Sequence, residues 1–223
     1  MNVRLALVAL ATLARVFDPA TISAQGTVQG KLAIKEKGGK FAKDLSNAVI
    51  WLEGPTTARP TQAEIVTKDK AMVPGVLVVA PGSTIAFPNL DPFNHNVFSL
   101  SAEAAFDLGL YGRGTARSTS VHQPGIVRVY CNVHAQMGAV VVVVPSPFVA
   151  RPNVDGTFLI ANVPAGSYRL TAWDERGGSI SERLVVSHER LADLALTIDA
   201  TGFKVQPHLN KFGKPYDSDG RRY

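Results

Sequence analysis

A thiol, an imidazole and a thioether fall at intervals of three residues in the stretch Tyr130-Cys131-Asn132-Val133-His134-Ala135-Gln136-Met137-Gly138. A tight loop at that spacing can turn Cys131, His134 and Met137 toward one point. Soft thiolate and thioether donors select copper over hard cations, and imidazole serves copper in both common oxidation states. A fourth donor, His95, stands in Phe87-Pro88-Asn89-Leu90-Asp91-Pro92-Phe93-Asn94-His95-Asn96-Val97, where a proline-bearing loop delivers a histidine at the start of a strand. Taken singly, none of these residues is unusual: a lone cysteine is most often a small buried hydrophobe, and a lone methionine fills a core. Together, two imidazoles, a thiolate and a weak axial methionine make the ligand set of copper electron-transfer sites. The expectation is one copper ion, cycling between Cu(I) and Cu(II), held by His95, Cys131, His134 and Met137.

Other chemistries use fewer of these residues. A thiol enzyme built on Cys131 and His134 would leave His95 and Met137 idle, and no Gly-rich strand-to-helix turn or third orienting group accompanies the pair. Zinc prefers cysteine, histidine and carboxylates and has little use for methionine. A copper-delivery or storage protein is the strongest reading from another class, but such proteins expose Met-rich or His-rich clusters. This chain has three methionines, Met1 among them, and His122, His188 and His208 stand apart from the motif as surface or loop residues. A non-redox binding module with a degenerate site is a further alternative.

Short strands separated by turns must position the donors. Residues 27–34 and 48–52 have strand character, with a Lys-Gly-Gly-Lys turn at 37–40 between them, and 55–62 has the composition of a linker. Strand signals resume at 63–67, 76–80 and 83–87, with Pro81-Gly82 as a turn. In 126–131 the alternation places Val127, Val129 and Cys131 on one face and Arg128 on the other, so Cys131 ends a strand pointing inward. Residues 139–144 form an unbroken apolar run suited to a strand buried on both faces. Further strands are expected at 158–161, 168–173, 183–186 and 194–198, a short helix near 101–105, and a polar, basic tail from 200 to 223. The class is all-β.

The two donor stretches resemble the copper-binding segments of the cupredoxins, the plastocyanin and azurin family. The Cys-x-x-His-x-x-Met spacing is similar to that of amicyanin. Residues 106–111 and 124–130 resemble the plastocyanin-like methylamine utilization proteins. The resemblance covers about residues 62–145 and implies a Greek-key β-sandwich with His95 and His134 binding through Nδ1, Cys131 through sulfur and Met137 axially. It also implies that Asn96 ties the two donor loops together by hydrogen bonds, and that the edge of His134 reaches the surface within an apolar patch where a transient redox partner docks. Copper enzymes of the same family flank the cysteine with histidines that connect it to a catalytic copper. Here its neighbours are Tyr130 and Asn132, and a single cysteine cannot build a binuclear two-cysteine site, so no enzyme activity is expected.

Downstream, Asp155-Gly156-Thr157-Phe158 and Asn162-Val163-Pro164-Ala165-Gly166-Ser167-Tyr168-Arg169-Leu170 resemble the second half of a carboxypeptidase regulatory-like, transthyretin-type sandwich. Residues 26–54, with Ala48-Val49-Ile50-Trp51-Leu52-Glu53-Gly54, fit its first half. The expected organisation is a second, smaller sandwich made of 26–58 and 146–199, with the copper domain of 62–145 inserted into it.

Arg4 precedes an apolar run over 5–14, and Ser23-Ala24 offers small residues for cleavage, the layout of a secretory signal peptide over residues 1–24. A periplasmic or secreted protein is expected. Its lone cysteine cannot form an internal disulfide, and in an oxidising compartment such a thiol is a liability unless it is buried, paired between chains or bound to metal. Losing 1–24 takes away Arg4, Arg15 and Asp18, which lowers the formal charge from +5 to +4. That mild, scattered charge excludes a nucleic-acid binder and suits an acidic protein partner. No apolar run is long enough for a membrane span.

Overall fold

The computed structural model describes residues 25–187 and 194–216; the expected signal segment 1–24, His188 and the end of the tail, 217–223, lie outside the described residues. The strands follow in the order β1 (Gln25–Lys35), β2 (Val49–Glu53), β3 (Gln62–Glu64), β4 (Val66–Lys68), β5 (Ala71–Val73), β6 (Val76–Val79), β7 (Ser83–Pro88), β8 (His95–Ser99) and β9 (Phe106–Tyr111). They continue with β10 (Ala116–Val121), β11 (Gly125–Cys131), β12 (Gly138–Val143), β13 (Val149–Ala150), β14 (Thr157–Pro164), β15 (Gly166–Asp174), β16 (Gly178–Val186) and β17 (Leu194–Asp199). Among the described residues the only helical piece is a single 3₁₀ turn, Lys37–Gly39. The fold is all-β.

Side-chain alternation in β1 sends Val28, Leu32 and Ile34 inward. This strand pairs antiparallel with β14 and parallel with β17, while β2 pairs with β13 and β15. The resulting sheets, β14-β1-β17 and β13-β2-β15-β16, enclose one core that includes Leu32, Ile50, Leu52, Phe158, Leu170 and Ile198. Strands before residue 54 and after residue 148 therefore share a sandwich although some 95 residues separate them.

The intervening strands make a second pair of sheets, β10-β7-β3 and β6-β12-β11-β8-β9, with the small ribbon β4-β5 beside them. Phe87, Val97, Val127, Val129, Cys131, Met137, Val141 and Val143 are buried together between these sheets. At the turn before β7, Gly82 adopts φ +86°, a conformation that glycine reaches without strain.

The apolar run of β12 has two partners because alternate side chains leave opposite faces of a strand. Ala139, Val141 and Val143 enter the core that holds Cys131, whereas Val140, Val142 and Val144 pack with Val76 against Val49, Trp51 and Trp173 of the other sandwich. An apolar seam thus joins the sheet carrying Cys131 to the sheet β13-β2-β15-β16, and each valine buried in it contributes about 1.5–3 kcal/mol.

Two local expectations need correction. Residues 101–105 form a turn, closed by Ala104 N–H donating to the Ser101 carbonyl, and no helix. The six residues between β8 and β9 are too few to pack an amphipathic face, which is what stabilises most short helices. The region 63–67 is split into β3 and β4, because Ile65 N–H leaves the strand pattern to donate to the Ala86 carbonyl.

Candidate metal centre

His95 opens β8, and the loop before it is fixed by buried polar side chains. The Asn89 amide donates to the carbonyls of Phe93 (2.9 Å) and Tyr111 (3.2 Å) and accepts from the Asp91 N–H (2.9 Å). Asp91 in turn accepts from the N–H groups of Asp69 (2.7 Å) and Lys70 (3.2 Å). Those two residues form the two-residue turn of the β4-β5 hairpin at φ 54° and 57°, the positive values that a type I′ turn requires. The same carboxylate lies 2.8 Å from His95 Nε2. With Nε2 occupied, the ring presents Nδ1 inward, 3.6 Å from Cys131 Sγ.

Cys131 is the last residue of β11, and the six residues after it form a compact loop. Cys131 N–H donates to the Met137 carbonyl (3.1 Å), Met137 N–H to the His134 carbonyl (3.1 Å), and Asn132 N–H to the Asn96 carbonyl (2.8 Å). His134 Nδ1 consequently lies 3.8 Å from Cys131 Sγ. Phe93 packs against both imidazoles, at ring-centroid distances of 5.3 Å to His95 and 5.2 Å to His134. His95 is fully buried, whereas His134 is partly exposed. Met137 is buried in the same apolar cluster as Cys131.

Burial pushes the Cys131 thiol up, but the hydrogen bond with His95 and the backbone N–H groups of Asn96, Val133 and His134 outweigh it, leaving the thiol below its ordinary value. Burial likewise opposes a charged His95, yet the hydrogen bonds to Cys131 and Asp91 hold its pKa above the ordinary imidazole value. His134 falls below that value through burial and the nearby positive charges of His95 and Lys70. The two shifts act in the same sense, easing loss of the Cys131 proton and strengthening the hold of His95 on its own, and an arriving metal ion would displace the protons that its donor atoms carry.

The donor atoms of His95, Cys131 and His134 all lie within 4.8 Å of one another and can hold one metal ion. Bonds of about 2.3 Å to sulfur and about 2.0–2.1 Å to nitrogen, with angles of about 110–120°, give sulfur–nitrogen separations of about 3.6–3.8 Å. The observed 3.6 Å and 3.8 Å match that requirement.

Residues absent from the sequence-derived site also shape it. Asp91 and Asn89 stand in the quoted donor stretch, and the carboxylate four residues before His95 was the available signal. Asn96 does tie the donor loops, but through its main chain; its side chain donates instead to Asp107 (2.5 Å). His122 is exposed, as expected of a surface residue. His208 is not set apart from the motif, because its ring stacks on Tyr130 at 3.9 Å and 12° between planes. The tail is thus folded back on this end of the molecule.

No family model matches the chain, and no curated protein matches it. Among solved structures, a copper-containing nitrite reductase from Thermus scotoductus SA-01 is similar over 42% of this chain and 25% of its own, at 20% identity and a TM-score of 0.37. A mutant of amicyanin in a Cu(I) structure is similar over 36% of this chain and 80% of its own, at 21% identity and a TM-score of 0.35. Amicyanin from Paracoccus versutus is similar over 37% of this chain and 80% of its own, at 18% identity and a TM-score of 0.35. The chain spans a quarter of the length of the nitrite reductase it matches.

Proposed function

We propose that this chain is an exported, single-copper electron carrier of the cupredoxin type, with His95, Cys131, His134 and Met137 as ligands. The observation that carries the proposal is the convergence of two imidazole nitrogens and one thiol on a point of metal-site dimensions, with a buried methionine in the same short loop. A His₂Cys set with a nearby thioether is suited to copper and unsuited to hard cations. When bound, copper supplies a one-electron couple, Cu(II) accepting an electron from a reduced protein partner and Cu(I) returning it to an oxidised one.

The chain's own residues are arranged for little movement in that exchange. His95 and Cys131 sit at strand ends, and Asp91 with the β4-β5 turn fixes the orientation of the His95 ring. A rigid donor set keeps the geometry similar in both oxidation states. His134, partly exposed beside Phe93, is the exit to a transient partner over a small interface. The net charge of +4 after loss of residues 1–24 favours an acidic partner. Residues 1–24 would direct the chain to the periplasm or outside the cell, and no helix among the described residues is long and apolar enough to cross a membrane. We read 62–145 as the copper domain inserted between 26–58 and 146–199 of a carboxypeptidase regulatory-like sandwich, a reading supported by the pairing of β1 with β14 and β17 and of β2 with β13 and β15.

Protein-film voltammetry with a copper-transfer assay tests the function. The expected result is a reversible one-electron wave with slow metal loss. Rapid donation of copper to an acceptor without a reversible wave would overturn the carrier in favour of copper delivery.

A further inference from the structure

The sequence marks residues 200–223 only as a polar, basic tail, and in the structure residues 203–216 make contact with both neighbours of Cys131 and with Cys131 itself. The Tyr216 hydroxyl donates to the Cys131 carbonyl at 2.7 Å, and the Lys211 N–H donates to the Asn132 side-chain carbonyl at 3.0 Å. On the other flank, His208 stacks on Tyr130 and lies edge-on to Tyr216 at 5.1 Å. Lys211 Nζ also reaches Asp107 at 2.7 Å, the carboxylate that holds the Asn96 amide beside His95. A local turn shapes the segment for these contacts: Gly213 N–H donates to the Asn210 carbonyl, and the Asn210 side chain accepts from Phe212 and Lys214.

We infer that residues 203–216 are a latch on the metal loop, with Tyr216, His208 and Lys211 as positioning residues that hold the Tyr130-Cys131-Asn132 segment in its metal-ready shape. The functional part of this inference, retention of copper, rests on the copper reading above; the mechanical part does not. Loop 132–138 has no strand partner over most of its length, so its shape depends on two backbone bonds that close it, on a third to Asn96 of β8, and on what packs against it. The latch engages it from outside at a carbonyl, an amide and an aromatic face. Of these, the half-exposed Lys211–Asp107 ion pair contributes least, since such pairs are screened by water and salt. The hydroxyl bond to the Cys131 carbonyl and the stacked ring contribute most, because both partners are largely withdrawn from solvent.

The test uses the full chain carrying His208→Ala, Lys211→Ala and Tyr216→Phe together, and Tyr216→Phe alone, beside the parent. In metal-free protein, amide hydrogen exchange over 132–138 should rise about tenfold in the triple variant while β1 and β14 exchange as in the parent. Copper release to an excess of chelator should quicken by about 10-fold, the lower end of what losing a supporting partner of a metal ligand costs. Tyr216→Phe should show both effects in smaller measure. Exchange over 132–138 within twofold of the parent, or a rise spread equally over all strands, would overturn the latch. A parent protein that binds no copper would end the copper reading and leave the exchange result to decide the latch alone.

Discussion

His95 arrives on a loop whose polar groups are consumed inside the protein, whereas His134 rides on a loop closed by its own backbone and reached by solvent. The side chains of Asn89 and Asp91, both residues buried, take part in seven hydrogen bonds around the first loop, counting the ones that they accept from Thr67, Asp69 and Lys70. The second loop has three backbone bonds and the tail. The contrast separates two side chains of one type: the His95 ring is buried and oriented by Asp91, whereas His134 is partly exposed, so in the proposed copper centre the first would anchor the metal and the second would meet its surroundings.

The largest effect that breaks this comparison should come from the ligand common to both arms. Cys131→Ser is expected to abolish any thiolate-to-copper absorption and to weaken copper binding by more than the 10–100-fold typical of losing a supporting partner. Next, His95→Ala and His134→Ala should both lose copper affinity but differ in the metal-free protein. His95→Ala leaves the buried Asp91 carboxylate without its ring partner, at a cost of about 1–3 kcal/mol in addition to the emptied ring volume. His134→Ala, at a partly exposed position, should shift the thermal midpoint little. Equal destabilisation by both would show that the anchor and the exit are not distinct.

Asp91→Asn sharpens the contrast through pH. The Asp91 carboxyl is held below its ordinary value; burial opposes this, but the His95 ring and the Lys70 and Asp69 N–H groups outweigh it. Its stabilisation is present above the unfolded carboxylate pKa and is lost as pH falls through the folded one. His95 is raised, so its stabilisation is present below the unfolded imidazole pKa and is lost as pH rises through the folded one. The stability gap between parent and Asp91→Asn, measured on metal-free protein, should be widest between about pH 4 and 6.5 and narrow on either side. A gap that stays as wide below pH 4 and above pH 6.5 as between them would mean that the pair is not charged in the folded protein.

What the sequence made legible were the features with a local pattern. Alternation in 126–131 placed Cys131 inward at a strand end, and the apolar run after Gly138 announced a strand buried on both faces. Short spacing gathered Cys131, His134 and Met137. Asp91 went unassigned because its role depends on the β4-β5 turn, two residues of positive φ that meet it across more than twenty positions. The contacts of the tail went unread for a similar reason: they are single polar groups reaching back 79 and 85 residues, and they leave no periodic trace. Strand β10, Ala116–Val121, also lacked a signal, since most of its side chains face solvent and no apolar alternation survives.

Two smaller effects follow from the same division of duties. With Met137 as the proposed axial ligand, Met137→Gln should keep the visible band and change the reduction potential, because an axial ligand tunes the centre and does not anchor it. For the proposed carrier, electron exchange with an acidic partner should slow as salt rises, modestly, given a formal charge of only +4 over residues 25–223.

The central claim, one copper held by a thiolate and two imidazoles, is tested most directly by titrating the metal-free protein with Cu(II) and recording its visible spectrum. The account predicts an intense thiolate-to-copper band that saturates at one copper per chain and is absent from Cys131→Ser. A titration that gives no such band, or one whose band survives in Cys131→Ser, would contradict it.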